Sequence, residues 1–301
     1  MTSDAPLLRM AQLRIEADQP GRPPLLEGLS FDLQAGERMA IVGESGSGKT
    51  MATRAIPGLL AAGVHRAGGS ILFEGRDLTA LSPKELRAIR GPGIGMVFQE
   101  PMTSLNPALK IGVQLAEGLK LHRKLPDAEI RRLCVAMLKR VRITDAERCL
   151  ESYPHQFSGG MRQRIMLASV LLLTPRLLIA DEPTTALDTL SQREVLELMV
   201  ELTREMGTAL LLITHDLGLV AQYTDRVLVL EKGVLVEAGE TREVLAHPKH
   251  PYTAKLVGSL PQRAVGRVAV PAEAPVLLSI EKVVVEYPGK PGLLRTGPPS
   301  R

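Results

Sequence analysis

The apolar run Arg38–Val42 leads directly into Gly43-Glu44-Ser45-Gly46-Ser47-Gly48-Lys49-Thr50, and then into a stretch of helical character reaching about Leu60. The octet satisfies G-x-x-x-x-G-K-[ST], and its setting between a strand and a helix narrows the possible folds more than any other feature of the chain. Glycines at 43, 46 and 48 let backbone N–H groups converge on phosphate oxygens where a Cβ would obstruct. The helix N-terminus adds its dipole. Lys49 is placed to reach β- and γ-phosphates, and the Thr50 hydroxyl to coordinate Mg2+. The octet implies a nucleoside triphosphate site on an α/β sheet.

Composition removes several other classes. Of 301 residues, 45% are hydrophobic, enough for either two domains or one large α/β domain with a tail. No run approaches the ~18 apolar residues of a membrane-spanning helix. The richest stretch, Met166 to Ala180, is broken by Thr174, Pro175 and Arg176. The N-terminus lacks a basic region followed by an apolar one, so no secretory signal is read there. Cys134 and Cys149 cannot build a disulfide framework or a four-thiolate metal site. The chain reads as a soluble protein of a reducing compartment. A net charge of +4 admits an anionic ligand or membrane surface without demanding nucleic acid, and 3% aromatics with no Trp argue against stacking on single strands.

Short apolar runs alternate with helical patterns, which predicts a mainly parallel sheet covered by helices. Strands are expected at Arg38–Val42, Ser70–Phe73, Gly95–Phe98, Leu177–Ala180, Ala209–Ile213 and Arg226–Leu230, with a hairpin turn at Lys232-Gly233 before Val234–Val236. Between about Ile111 and Val141 charges alternate with Leu, Met and Val at helical spacing, an all-helical insertion. Pro261–Pro275 has the composition of a linker. Beyond it, Leu277–Tyr287 lies over Leu7–Ala17 at an offset of 270 positions, with three identities. Either two edge strands share a common pattern, or a second copy of the domain begins near Val276; the preceding linker favours the second.

Two further segments carry chemistry. Leu177–Ala180 ends in Asp181-Glu182, and ligands of open α/β sheets bind beyond the carboxyl ends of the strands. Asp181 therefore falls where Mg2+ is required, and Glu182 can orient or deprotonate an attacking water. Ser158-Gly159-Gly160-Met161 opens a second helix, with Ser158 as N-cap and Met161, Ile165, Ala168 and Leu172 as its apolar stripe. Paired glycines in a first turn cost roughly 1 kcal/mol each against Ala, which suggests that something such as a phosphate approaches them.

Together and in this order, the P-loop, the Ser-Gly-Gly helix and Asp181-Glu182 resemble the ATP-binding cassette (ABC) ATPases over about residues 7–260. Ser158–Met161 looks like the family signature, with Met161 where glutamine is commoner. The resemblance implies that Gln99 is the Q-loop glutamine and a Mg2+ ligand, that Ala186-Leu187-Asp188 is the D-loop, and that His215 is the switch histidine. It implies a P-loop core with a mainly parallel sheet, an antiparallel N-terminal β subdomain and a helical subdomain over about residues 100–173. Gln99-Glu100-Pro101-Met102-Thr103-Ser104-Leu105-Asn106-Pro107, Phe157–Arg164 and His250-Pro251-Tyr252-Thr253 are similar to the dipeptide/oligopeptide/nickel importer branch. A tandem arrangement would be similar to the glutathione-importer type of that branch.

The resemblance implies ATP and Mg2+ as ligands, a peripheral place on the cytoplasmic face of the inner membrane, and a permease docked on the helical insertion and the Gln99–Pro107 loop. An external solute-binding protein would act indirectly, and nucleic acid is not expected. In this family the signature closes over the P-loop of another cassette, so Ser158 and Gly160 would serve a partner's nucleotide while Glu182 acts as general base and His215 meets the γ-phosphate. The position of the usual adenine-stacking aromatic is filled by Ala17, which implies weaker or less base-selective adenine binding. Residues 1–260 are expected to form the cassette, 261–275 a linker, and 276–301 a poorly ordered start of a second cassette. Competing readings are a tandem cassette protein of ribosomes, a DNA-maintenance ATPase and a simple P-loop kinase. The short Pro-rich linker, the absence of coiled coil or zinc module between Thr50 and Ser158, and the Ser158–Met161 segment argue against each in turn.

Overall fold

A computed structural model describes residues 5–19, 21–98, 104–183, 189–259, 279 and 281. The chain divides into two compact units, Met1–Leu260 and Pro261–Arg301. All elements named here belong to the first. The expected linker and nearly all of the expected second start lie outside the described residues.

Four strands form an antiparallel sheet, β2-β1-β4-β5: β1 (Leu8–Ala17), β2 (Leu26–Leu33), β4 (Val64–Phe73) and β5 (Arg76–Asp77). β4 begins six residues before the expected Ser70. Gly68-Gly69 hides the strand in the sequence, yet Gly69 sits at φ +79 opposite a bulge at Gln12, and a Cβ there would lie 2.3 Å from the Gln12 carbonyl.

The second sheet has the order β10-β9-β3-β8-β7-β6. Its parallel strands are β3 (Arg38–Val42), β6 (Ile94–Val97), β7 (Leu177–Asp181), β8 (Ala209–Ile213) and β9 (Arg226–Glu231); β10 (Val234–Glu240) returns antiparallel. Every residue of β7 and β8 is buried, the mark of a sheet covered on both faces. Alternate side chains feed different cores. Met39, Ile41, Leu177, Ile179, Leu211 and Ile213 face the core shared with the antiparallel sheet. Leu178, Ala180, Leu210 and Leu212 face the helical side. Ala40, Val42, Val227 and Val229 supply a third, smaller cluster.

The helix after the P-loop, α1 (Lys49–Ala55), stops short of the expected Leu60. Pro57 has no N–H with which to extend the helical ladder, and Gly58 turns the chain at φ +66, with Leu59 N donating back to Arg54 O at 2.7 Å. α2 (Pro83–Ile89) carries a Ser82/Glu85 capping box. The helical insertion comprises α3 (Ile111–His122), α4 (Asp127–Arg140) and α5 (Ala146–Glu151), packed with α6 (Gly159–Leu171) through Leu115, Leu119, Ile130, Met137, Leu138 and Ile165. Then follow α7 (Thr189–Met206), α8 (Leu217–Tyr223), α9 (Thr241–Ala246) and α10 (Pro251–Gly258). Cys134 and Cys149 are free and buried, and burial pushes both thiols up to about 11. No helix among the described residues is long and apolar enough to cross a membrane.

Candidate nucleotide site

The parallel strands deliver their carboxyl ends to one edge of the sheet, and the expected site residues gather there. Gly43 follows β3 at φ +154, and a Cβ on it would lie 2.2 Å from the Leu230 carbonyl and 2.6 Å from Ser47 Oγ. Gly48, the N-cap of α1, sits at φ +95, where a Cβ would meet Leu25 O and a Leu26 methyl, each at 2.7 Å. The loop backbone therefore cannot exist with side chains at these two positions. The β9–β10 turn braces it: Gly233 N donates to Ser47 O at 3.1 Å.

Lys49 is buried, and its Nζ donates to the carbonyls of Gly43 and Glu44, each at 2.8 Å. Next along α1, Thr50 Oγ1 donates to Asp181 Oδ1 at 3.2 Å. Asp181 ends β7 and is 3% exposed. Burial pushes its carboxyl up, against the Thr50 hydrogen bond and the nearby Arg54 charge. Burial likewise pushes Lys49 down, opposed by the charges of Glu182 and Asp181. A hydroxyl and a buried carboxylate side by side form an oxygen donor pair suited to Mg2+, and the penalty on the Asp181 charge is what a divalent cation relieves. The glycine-lined loop and this pair fit a Mg-nucleotide.

Glu182 turns the chain at φ +44, a left-handed conformation that is uncommon without glycine. The turn is held by Glu182 N donating to Ile213 O at 2.9 Å. It leaves the carboxylate half-buried, with Oε1 3.7 Å from Nδ1 of exposed His215. Lys49, Thr50, Asp181, Glu182 and His215 thus share one site. Gln99 and Asp188, with the rest of the expected D-loop, lie outside the described residues.

Ser158 Oγ caps α6, accepting from Met161 N at 3.4 Å. α6 is tied to the same sheet edge by a residue to which sequence reasoning gives no role: Gln163, 1% exposed, donates through Nε2 to the carbonyl of Pro183, directly after Glu182. It stands off the apolar stripe, so periodicity offers no signal for it. Tyr252 likewise has no periodic signal for its role; its hydroxyl accepts from Glu44 N at 2.8 Å. The sequence marks it only through the resemblance of His250–Thr253, which assigns it no function.

A family model described as ABC transporter matches residues 26–185, more than half of the chain. The chain belongs to the ABC transporter family. Over 280 residues this cassette is 45% identical to the oligopeptide transport ATP-binding protein OppD of Salmonella typhimurium, covering 92% of this chain and 83% of the relative. It is 49% identical over 243 residues to the dipeptide transport ATP-binding protein DppD of Bacillus subtilis, covering 80% and 72%. A solved dimeric ATP-binding cassette, in a post-hydrolysis state with ADP and Pi, superposes with a TM-score of 0.69 at 26% identity, covering 78% of this chain and 99% of that one. The family consists of ATP-hydrolysing transporter cassettes, and this chain is one of them. The relatives are transport proteins; the ribosomal and nucleic-acid readings find no support in them.

Proposed function

We propose that this cassette binds Mg-ATP on Gly43–Thr50 and uses its hydrolysis to power an importer of peptides or similar small solutes, from a peripheral position on the cytoplasmic face of the inner membrane. The observation that carries this reading is the meeting of Lys49, Thr50, Asp181 and Glu182 beyond the carboxyl ends of β3 and β7.

In the proposed mechanism the P-loop amides and Lys49 bind the phosphates, while Thr50, Asp181 and Gln99 hold Mg2+. The bound ion supplies charge neutralisation at the transferring phosphoryl group. Glu182 takes the proton of the attacking water, and His215, beside it, contacts the γ-phosphate. Ser158, Gly159, Gly160 and Met161, aided by Asp188, close over the nucleotide of a second cassette. The free space beside Gly160 supports that role, because a Cβ there would approach nothing nearer than Ser191 at 3.8 Å. Ala17 at the end of β1 offers no ring to adenine, which supports weaker base selectivity.

A permease is the proposed docking partner of the helical insertion, with an external solute-binding protein acting through it. A groove of about 830 Å³ between α3, α4 and α5 includes Leu109, Val113 and Leu121, exposed by 40, 56 and 74%, with Lys120, Asp127 and Arg131 on its rim. An apolar strip with a rim of mixed charge suits a short amphipathic helix of the permease. The division of the chain into a cassette over 1–260, a linker and the opening of a second cassette belongs to the same reading. Glu182→Gln tests the mechanism. The variant is expected to bind Mg-ATP as the wild type does while kcat falls about 10²–10⁴-fold, as for loss of a general base; unimpaired hydrolysis removes Glu182 from the mechanism.

A further inference from the structure

No step of hydrolysis uses His250-Pro251-Tyr252-Thr253, yet the segment is clamped from several sides. The Glu237 carboxylate on β10 accepts from Lys249 N at 2.9 Å and His250 N at 3.0 Å. His250 Nδ1 accepts from Tyr252 N at 3.2 Å and caps α10, with Pro251 in its first turn. Tyr252 is 7% exposed and belongs to the apolar cluster of Val42, Val227 and Val229. Its hydroxyl emerges at the P-loop and accepts from Glu44 N at 2.8 Å. One turn later Lys255 Nζ pairs with Glu44 Oε1 at 3.1 Å.

The Glu44 N–H and the Gly43 carbonyl belong to one peptide group. In a trans peptide they point in opposite directions. Here the N–H donates outward to Tyr252 while the carbonyl accepts inward from Lys49 Nζ. Gly43 allows this plane wide rotational freedom, because without a Cβ its backbone is restrained least. The phenol fixed in α10 removes that freedom. Burial pushes the Tyr252 phenol up, so its hydroxyl stays neutral at ordinary pH.

We propose that Tyr252 is a positioning residue of the nucleotide site, its hydroxyl locking the Gly43–Glu44 peptide so that Lys49 stays aligned for phosphate. The proposal rests on Gly43–Thr50 being the nucleotide loop. Tyr252→Phe keeps the ring and its packing and removes only the acceptor. On the full chain, Mg-ATP affinity is measured by calorimetry, kcat and KM by steady-state hydrolysis, and exchange of the Glu44 amide by NMR without nucleotide.

The expected result is a Kd and KM raised about 5- to 10-fold, the scale of one net hydrogen bond lost at a part-buried donor, with kcat changed less than about twofold and faster Glu44 exchange. A Kd within about twofold of wild type overturns the proposal. So does a lowered thermal midpoint with Kd unchanged, which marks the phenol as purely structural. If the midpoint and Kd both move, Kd is remeasured at 10 °C with both proteins folded, and a return to the wild-type value overturns the proposal. Lys49→Ala separates the underlying reading: wild-type affinity in that variant means the loop is not the nucleotide site, whatever Tyr252→Phe shows.

Discussion

A Cβ at Gly160 would lie 3.8 Å from the Ser191 side chain, an ordinary contact, whereas one at Gly43 or Gly48 would collide with backbone. The P-loop glycines are thus required by the fold itself, and Gly160 is not. Alanine in the first turn of α6 is favoured over glycine by roughly 1 kcal/mol. Gly160→Ala is therefore expected to leave the thermal midpoint equal or higher while ATP hydrolysis drops at least about tenfold, from a methyl placed where the proposed mechanism brings the partner's phosphate; a melting curve and a steady-state assay decide it. Asp181 makes a prediction of the opposite kind. Burial raises its carboxyl, so the folded chain takes up a proton there at higher pH than the unfolded chain does. Folded stability from this group is gained as pH falls through the raised value, while the proposed hold of its carboxylate on Mg2+ would be lost over the same window. Mg-ATP affinity should weaken on acidification at a higher pH than an ordinary aspartate would give, and Asp181→Asn should abolish both the Mg2+ dependence and this pH dependence. Titration of Kd from pH 8 to pH 5 checks the sign.

At the scale of elements, α6 couples two regions. Its first turn carries Ser158 and Gly160, Gln163 holds the Pro183 carbonyl, and Arg164 pairs with Glu194 of α7 at 2.7 Å. The signature segment is thereby attached to the turn that aims Glu182. α3 buries Ile111, Leu115 and Leu119 but turns its other face outward, with Val113 and Leu121 exposed over the groove. Because Val113 is more than half exposed, Val113→Asp should alter stability by no more than ~0.5 kcal/mol. It is expected to leave Mg-ATP Kd unchanged and to abolish co-sedimentation with permease-containing membranes; retained co-sedimentation removes the groove from the docking surface. The limits of local signals also show here. α1 ends at Ala55 because Pro57 and Gly58 override the helical pattern, and β4 runs through Gly68-Gly69 because the bulge in its neighbour needs a glycine at 69.

For the whole molecule, the site at the sheet edge contains Lys49, Thr50, Asp181, Glu182 and His215, while Ser158–Met161 cap a helix of the other core. If each nucleotide is completed by a second cassette, hydrolysis requires association. The rate per chain should then rise with protein concentration until the dimer saturates, and an added Lys49→Ala chain, able to lend its signature, should raise the rate of dilute wild type. A rate per chain independent of concentration, in protein monomeric by light scattering, defeats the composite site.

β7 and β8 were legible because both faces of each strand are buried, so the whole run is apolar and the period is simple. The P-loop was legible because its chemistry needs eight consecutive residues in fixed order. Tyr252 and Gln163 were not. The bond from Glu44 to Tyr252 joins residues 208 apart, and the one from Gln163 to Pro183 joins residues 20 apart across two elements. Neither hydrogen bond leaves a trace in periodicity, because its partner is brought near by the packing of other segments. The sequence alone determined the loop, the sheet and the family resemblance. Only the tertiary structure decided which distant groups hold the loop's first peptide and the Glu182 turn in place, since hydrogen bonding is satisfied by proximity in space rather than along the chain.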